Sequence, residues 1–369
     1  MSKTKPMMYP TDNDPYMMSG CKLMWHMDRV RAWEKGERIA PLLIDIGATK
    51  VCNLSCQWCY GVYQKMDNHS VIPEDILIRL FSEAPLLGVK AITLTGDGEP
   101  TLNKGMWKAI EEGKRHGLDI GIATNCVAVD SEDKVNALVD NCVWIRVTIG
   151  GASPEGYKKI HGFDYFKKVV ENTKDIMRAK RQRMSDVTVG YQMVLIPDCL
   201  DEVIPLAQLA IDLGLDYFVI KQFSNPENSG IPASGYDQDK FVEKSMPVLK
   251  KAEEMSTEKT KIIPKYDLIQ NKNKRMYPYC IDLPFIFQIS GSGKCYPCGY
   301  LFNKEEFCYG DLHEQTLGEI IHSDKYWGII DKIKGMSTKD LCNLGSCRHD
   351  ISNLFLHNYL NKPLHSNHI

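Results

Sequence analysis

An excess of charge of either sign is missing from this chain: 45 Lys and Arg stand against 47 Asp and Glu, a formal net charge of −2. That balance gives a nucleic-acid backbone no electrostatic footprint, and nucleic acid is not an expected partner. Long apolar runs are missing too, and none approaches the ~20 residues a membrane-spanning helix requires. The opening MSKTKPMMYPTDNDPYMMSGC has neither the apolar core nor the small-residue cleavage site of a secretory signal. A cytoplasmic protein without membrane association is expected. No repeat beyond a β-α unit is visible. The 369 residues, 43% hydrophobic and 25% charged, suit one large globular domain with or without a small one.

Cysteine, by contrast, is abundant, with 13 residues. In a reducing compartment such a number favours metal or cluster ligation over a disulfide framework. Cys52, Cys56 and Cys59 lie close together in KVCNLSCQWCYG; Cys280, Cys295, Cys298, Cys308, Cys342 and Cys347 crowd the last quarter. Cys21, Cys126, Cys142 and Cys199 are scattered, as buried structural thiols would be. Thiolates select zinc or iron–sulfur centres. Structural zinc closes with four ligands, and a [4Fe–4S] cube normally takes four cysteines. The early C-x-x-x-C-x-x-C supplies three. A cube held by three keeps one iron open, which fits catalysis better than bracing.

From about 42 to 223 short β-rich runs alternate with helical ones: 42–48, 91–96, 119–125, 144–150, 188–195 and 216–223 read as strands. Ile72, Ile76, Leu77, Leu80, Phe81 and Ala84 form one helical stripe, and Val203, Leu206, Ala207, Ala210 and Ile211 another. Such repeats predict a parallel sheet. Within the strands, Ile44, Ile92, Ile145 and Tyr191 alternate with Asp45, Thr93, Arg146 and Gln192. A doubly covered sheet is apolar on both faces. One polar face therefore predicts a sheet curled around a lumen, a partial (β/α)6 TIM-like barrel. The cysteine loop follows the first strand, at the carboxyl end where such folds bind ligands.

CNLSCQWC resembles the C-x-x-x-C-x-aromatic-C signature of radical S-adenosylmethionine (SAM) enzymes, with Trp58 in the aromatic place. The resemblance implies that Cys52, Cys56 and Cys59 hold a [4Fe–4S] cluster whose free iron is chelated by SAM. One electron then splits SAM into methionine and a 5'-deoxyadenosyl radical. TLTGDGEPTL looks like the family's Gly-Gly-Glu motif, so Gly96, Asp97, Gly98 and Glu99 are implied in SAM binding. Thr124 and Asn125 of IATNC are implied likewise, with Trp58 and Tyr60 beside the cysteines; RVTIGGASPEGYKKIHG resembles a further family stretch, and Arg146, Thr148 and Gln192, which face the expected lumen, are candidates for SAM's carboxylate and ribose. Thr148 departs from the family's serine, and an aspartate is missing nearby. Cys126, ending the third strand, is a candidate hydrogen donor, and Lys221 and Gln222, ending the sixth, are candidate substrate contacts. A low-potential electron donor such as flavodoxin or ferredoxin is an implied partner.

CIDLPFIFQISGSGKCYPC and CNLGSC resemble the SPASM and twitch extensions, which hold auxiliary [4Fe–4S] clusters. The tail's six cysteines favour one cluster on Cys280, Cys298, Cys342 and Cys347, with Cys295 or Cys308 as replacements. Zinc on the same residues is the alternative. The expected organisation is an N-terminal extension (1–41), a radical SAM core (42–250), a connecting segment (251–278) and a SPASM/twitch-like domain (279–369). A loop, SNPENSGIPASG, follows the sixth strand. The extension, KLMWHMDRVRAWEKGERIAP, resembles a lead segment of radical SAM proteins of polysaccharide and sugar biosynthesis, or is an amphipathic cap over the barrel mouth. The expected substrate is a small polar molecule, a sugar or nucleotide-sugar undergoing oxidation, epimerisation or deoxygenation. Peptide or protein side-chain modification is the second enzyme reading, and a structural cluster or zinc protein the third.

Overall fold

Six of the β-rich runs become strands: β1 Leu43–Ile46, β2 Ala91–Leu94, β3 Asp119–Thr124, β4 Trp144–Thr148, β5 Thr188–Leu195 and β6 Tyr217–Gln222. They pair in chain order, all parallel. The computed structural model describes residues 10–12, 14–18, 20–59, 69–223, 237–270, 275–342, 347–362 and 364–366. Tyr60, the loop at 224–235 and the middle of CNLGSC lie outside the described residues.

Four further strands enlarge the sheet: β7 Lys261–Pro264, β8 Ile286–Ile289, β9 Lys294–Tyr296 and β10 Gly310–Asp311. The order is β10-β9-β8-β1-β2-β3-β4-β5-β6-β7. β7 extends the parallel array beyond β6, from a segment the sequence reads as a connector. β8 and β9 form a hairpin that does not stand apart: β8 pairs parallel with β1, in the register Leu43↔Ile286 to Ile46↔Ile289. The cysteine-rich tail is thus joined to the barrel by backbone hydrogen bonds.

One face of this sheet is dry. Ile44, Ile46, Ile92, Leu94, Ile120, Ile122, Ile145, Val147, Val189, Tyr191 and Met193 are fully buried. Against them pack helices such as Glu74–Leu86, through Ile76, Leu77, Leu80, Phe81 and Ala84, and Val203–Leu213, through Val203, Leu206, Ala207 and Ala210. The other face carries polar and small side chains from β8 to β5 and apolar ones at the same level of β6 and β7. Gln288, Asp45, Thr93 and Gly121 are successive neighbours across β8, β1, β2 and β3. Thr148, Gln192, Val219 and Ile263 are neighbours across β4 to β7. The period-2 pattern therefore does separate a helix-covered face from an inner one.

The extension forms a 3-10 turn, Lys22–Trp25, and a helix, Met27–Glu34. Arg29 on that helix donates to the carbonyls of Ala40 and Gly88, just ahead of β1 and β2. The helix therefore lies at the amino ends of these strands, opposite the mouth that the sequence reading has it cap. Tyr16 and Met18, earlier in the chain, pack on Tyr217, Val219 and Ile263 of the inner face.

Candidate active site

The three-cysteine loop is anchored by the end of a helix. Pro154–His161 terminates at Gly162, whose φ of +82° is left-handed. The last carbonyls of any helix lack intrahelical partners. Here Ser55 N–H donates to His161 O (3.1 Å) and Gln57 N–H to Ile160 O (3.0 Å). A side chain at Gly162 would strike Ser55 Oγ, which keeps the approach open to glycine alone. The buried His161 ring then reaches Cys56: Nε2 accepts from Gly150 N–H at 2.8 Å, so Nδ1 carries the proton and donates to Cys56 Sγ at 3.0 Å. Burial drives the His161 pKa down to about 3 and keeps the ring neutral. Tyr157 stacks on it, centroids 4.3 Å apart, and Trp58 meets it edge-on at 6.0 Å. Nothing in the sequence marks His161 beyond its place in KKIHG.

The Asp97-Gly98-Glu99 turn holds the loop from the other side. Glu99 N–H donates to Val51 O at 2.9 Å, one residue before Cys52. A Cβ on Gly98 would sit 2.2 Å from Thr49 O, so only glycine admits this contact. The Glu99 carboxylate, expected to meet SAM, is held by four protein donors: Thr101 N and Oγ1, Thr124 Oγ1 and Asn125 N, at 2.6–3.1 Å. Asn125 Oδ1 accepts from Val127 N, while its Nδ2 donates to Asn53 Oδ1 at 2.6 Å and lies 4.0 Å from Cys52 Sγ. Thr124 and Asn125 thus brace the cysteine loop. Asp97 accepts from Gly291 N–H at the β8–β9 turn, and burial pushes its pKa up to about 6. Gly96 (φ +145°) passes against Gly47, where a Cβ would come within 2.8 Å of its Cα.

Arg146, Thr148, Gln192 and Lys221 share the inner face by register, and Arg146 stacks over Trp144 at 5.0 Å with its Nε unpartnered. Gln222 falls on the opposite face, with Phe218 and Ile220, so it cannot join Lys221 in the lumen. Cys126 is likewise corrected. Its thiol is fully buried in the core against Thr173 of the outer helix Phe166–Gln182, where a hydrogen donor to the lumen has no access.

In the tail, Cys298 and Cys347 lie within electrostatic reach of Cys280, and Cys342 within reach of Cys298 and Cys347. Cys295 and Cys308 form a separate buried pair beside β10. Asn353 Nδ2 donates to Cys280 Sγ (3.4 Å) and His349 N–H to Cys347 Sγ (3.3 Å). Asp282, fully buried, accepts from His349 Nδ1 and Asn353 Nδ2. Arg348, next to Cys347, reaches into the inner face and clasps Asp45 through Nε (2.8 Å) and Nη2 (3.3 Å). The sequence offers no sign of that contact.

Two family models match: the radical SAM superfamily over residues 46–210 and an iron–sulfur cluster-binding SPASM domain over 266–348. The chain belongs to the radical SAM superfamily. Similar curated proteins include the probable GTP 3',8-cyclases of Pyrococcus horikoshii (32% identical, covering 35% of this chain and 41% of that protein) and Saccharolobus islandicus (30%, covering 46% and 53%). The chain spans about half the length of the curated relatives it matches. Among solved structures, Streptococcus suis SuiB bound to S-adenosylmethionine shares the fold at a TM-score of 0.65 and 16% identity, over 86% of this chain and 73% of that one. Native anSMEcpe with bound AdoMet does so at 0.59 and 17%, over 84% and 91%.

The two matched models imply a [4Fe–4S] cluster that takes SAM and auxiliary iron–sulfur ligation in the SPASM domain. The donor set fits. Burial drives the Cys52 pKa up to about 11 and Cys56 well above its usual range; Cys59 adds to both, and Cys52 to Cys56. A cationic iron–sulfur core reverses that penalty. When bound, the cluster and SAM supply one-electron cleavage to a hydrogen-abstracting radical. The protein's own part is to fix the three thiols, hold a neutral imidazole against one of them, and present a polar face beside them. Among the described residues, no helix is long and apolar enough to cross a membrane.

Proposed function

We propose that this enzyme acts on a small polar molecule, a sugar or nucleotide-sugar, from which hydrogen is taken at a carbinol carbon, leading to oxidation, epimerisation or deoxygenation. The observation that carries this reading is the inner face: Asp45, Thr93, Arg146, Thr148, Gln192 and Lys221 lie in register on one side of the sheet, at whose strand ends the cysteine loop is mounted. Hydrogen-bonding groups on a half-buried face orient a hydroxylated substrate better than an apolar one. The curated relatives' name concerns GTP, a nucleotide, which agrees with a polar substrate of this kind. Cys52, Cys56 and Cys59 are proposed as the ligands of the SAM-binding cluster. Cys280, Cys298, Cys342 and Cys347 are proposed as those of one auxiliary cluster, with a flavodoxin or ferredoxin as reductant.

The test is isotopic. Reconstituted enzyme, SAM and dithionite are mixed with sugars and nucleotide-sugars deuterated at each carbinol carbon. Deuterium should appear in 5'-deoxyadenosine with the true substrate class; its absence with every candidate, while SAM is still cleaved, removes the carbohydrate reading.

A further inference from the structure

The inner face carries more positive charge than its own carboxylates answer. Lys221 ends β6. On β7, Pro264 pairs with Ile220, and Lys265 N–H donates to Ile220 O at 2.8 Å, so the register continues to place Lys265 beside Lys221. Adjacent strands lie about 4.8 Å apart, which sets two lysines side by side at the carboxyl ends, where ligands enter. Lys265 is held in place by donating to Met18 O at 2.8 Å, which leaves two of its ammonium protons for another acceptor.

The strongest charges acting on Lys221 are all cationic: Arg146, Lys265 and Arg348. Burial and these neighbours push the Lys221 pKa down to about 7 and the Lys265 pKa down to about 8. The nearby carboxylates are too few: Asp14, which acts on Lys265, is shared with Lys22, and the others are engaged elsewhere. Asp45 is clasped by Arg348, Asp14 faces Lys22 and Lys265, and Asp282 is held by His349 and Asn353. Among the described residues this leaves Arg146, Lys221 and Lys265 short of counter-charge. SAM does not remedy the shortage, because its sulfonium makes it a net cation and its one carboxylate answers one guanidinium at most.

On the reading of this face as the substrate site, we propose that Lys221 and Lys265 bind a phosphate or diphosphate group carried by the substrate. A carboxylate matches one cation; a phosphoryl dianion or larger polyanion matches the surplus, and lysine serves phosphate as a mobile point charge. Placing the anion at the ends of β6 and β7 leaves the uncharged part of the substrate to lie across Gln192 and Thr148, towards the cysteine loop.

The probe is inorganic pyrophosphate, titrated calorimetrically into the anaerobically reconstituted holoenzyme with SAM present, with acetate as monoanion control. Pyrophosphate should bind at least about tenfold tighter than acetate, and Lys221→Met and Lys265→Met should each weaken it by about tenfold or more, one charge-assisted hydrogen bond apiece. Lys221→Arg, which keeps the charge, should stay within about threefold of wild type. Should Lys221→Met fail to fold, Lys221→Gln carries the same expectation. Failure of pyrophosphate to bind wild type, or binding unchanged in both lysine variants, overturns the proposal. SAM cleavage by the wild-type enzyme is measured separately. Pyrophosphate binding without cleavage keeps the anion site and removes the radical reading; cleavage without pyrophosphate binding does the reverse.

Discussion

On the proposed ligand set, His161 would act on a cluster that it does not ligate. With Gly150 N–H on Nε2, its Nδ1–H has one direction left to point, and Cys56 Sγ occupies it at 3.0 Å. Hydrogen bonds to cluster sulfurs raise the reduction potential by stabilising the more negative, reduced state. Replacing His161 with Phe keeps the ring stack with Tyr157 and removes the donor. If the bond contributes about 1 kcal/mol, the cluster potential should fall by about 40 mV, read by EPR-monitored redox titration. An unchanged potential at normal iron content would sink this role; a purely structural one would lower iron content instead. Glu99 makes a second case. Its oxygens accept from four donors on three residues. Glu99→Gln turns one acceptor into an NH2 group facing donors and should cost about 1–3 kcal/mol, seen as a lower thermal midpoint. A variant as stable as wild type would mean that these bonds contribute little.

At the scale of elements, the two cysteine groups differ in how they are assembled. The first is local in sequence and is held by borrowed helix carbonyls and a glycine turn; the second is gathered from the segment before β8 (Cys280), the turn after β9 (Cys298) and the stretch between the helices Thr338–Leu341 and Asp350–Leu360 (Cys342 and Cys347). Cys347→Ala should therefore lower iron from about eight to about four atoms per chain while SAM cleavage with dithionite persists, and Cys308→Ala should leave iron unchanged. Iron lost equally in both variants would place Cys308 in the ligand set. This contrast also explains what could be read beforehand. The strand positions and the first cysteine set were legible because period-2 alternation and C-x-x-x-C-x-x-C are local patterns. β7 was not, because the four residues of KIIP are too few to show a period and end in proline. Gln222 was misplaced by one step of the pleat, since neighbours at a strand end point to opposite faces. Lys265, His161 and Arg348 acquire meaning only when register or a distant element brings them to the site.

Across the whole molecule, the barrel and the cysteine-rich tail share one electrostatic field. Arg348 follows a cysteine of the tail yet acts on Lys221, Lys265 and Arg146, and β8 hydrogen-bonds to β1. The groups facing the lysine pair are thus Arg146, Arg348 and Lys22 as cations, Asp14 and Asp45 as carboxylates, and Tyr16 and Tyr217 with pKa values raised to about 12 by burial. Lys221 and Lys265, near 7 and 8, change charge between pH 6.5 and 9. An anion favours their protonated forms, so binding takes up protons, and affinity must fall as pH rises through that window. Sulfate, a dianion that does not itself titrate there, isolates the protein's share. Its dissociation constant should rise by up to about tenfold per pH unit between 8 and 9 for each lysine that must be charged, and proton uptake should appear as a buffer-dependent binding enthalpy. Lys265→Arg, whose charge persists across the window, should flatten the profile by one proton. A sulfate affinity independent of pH would show that the two lysines keep ordinary ammonium groups, and that the crowding of positive charge between barrel and tail is weaker than their placement implies.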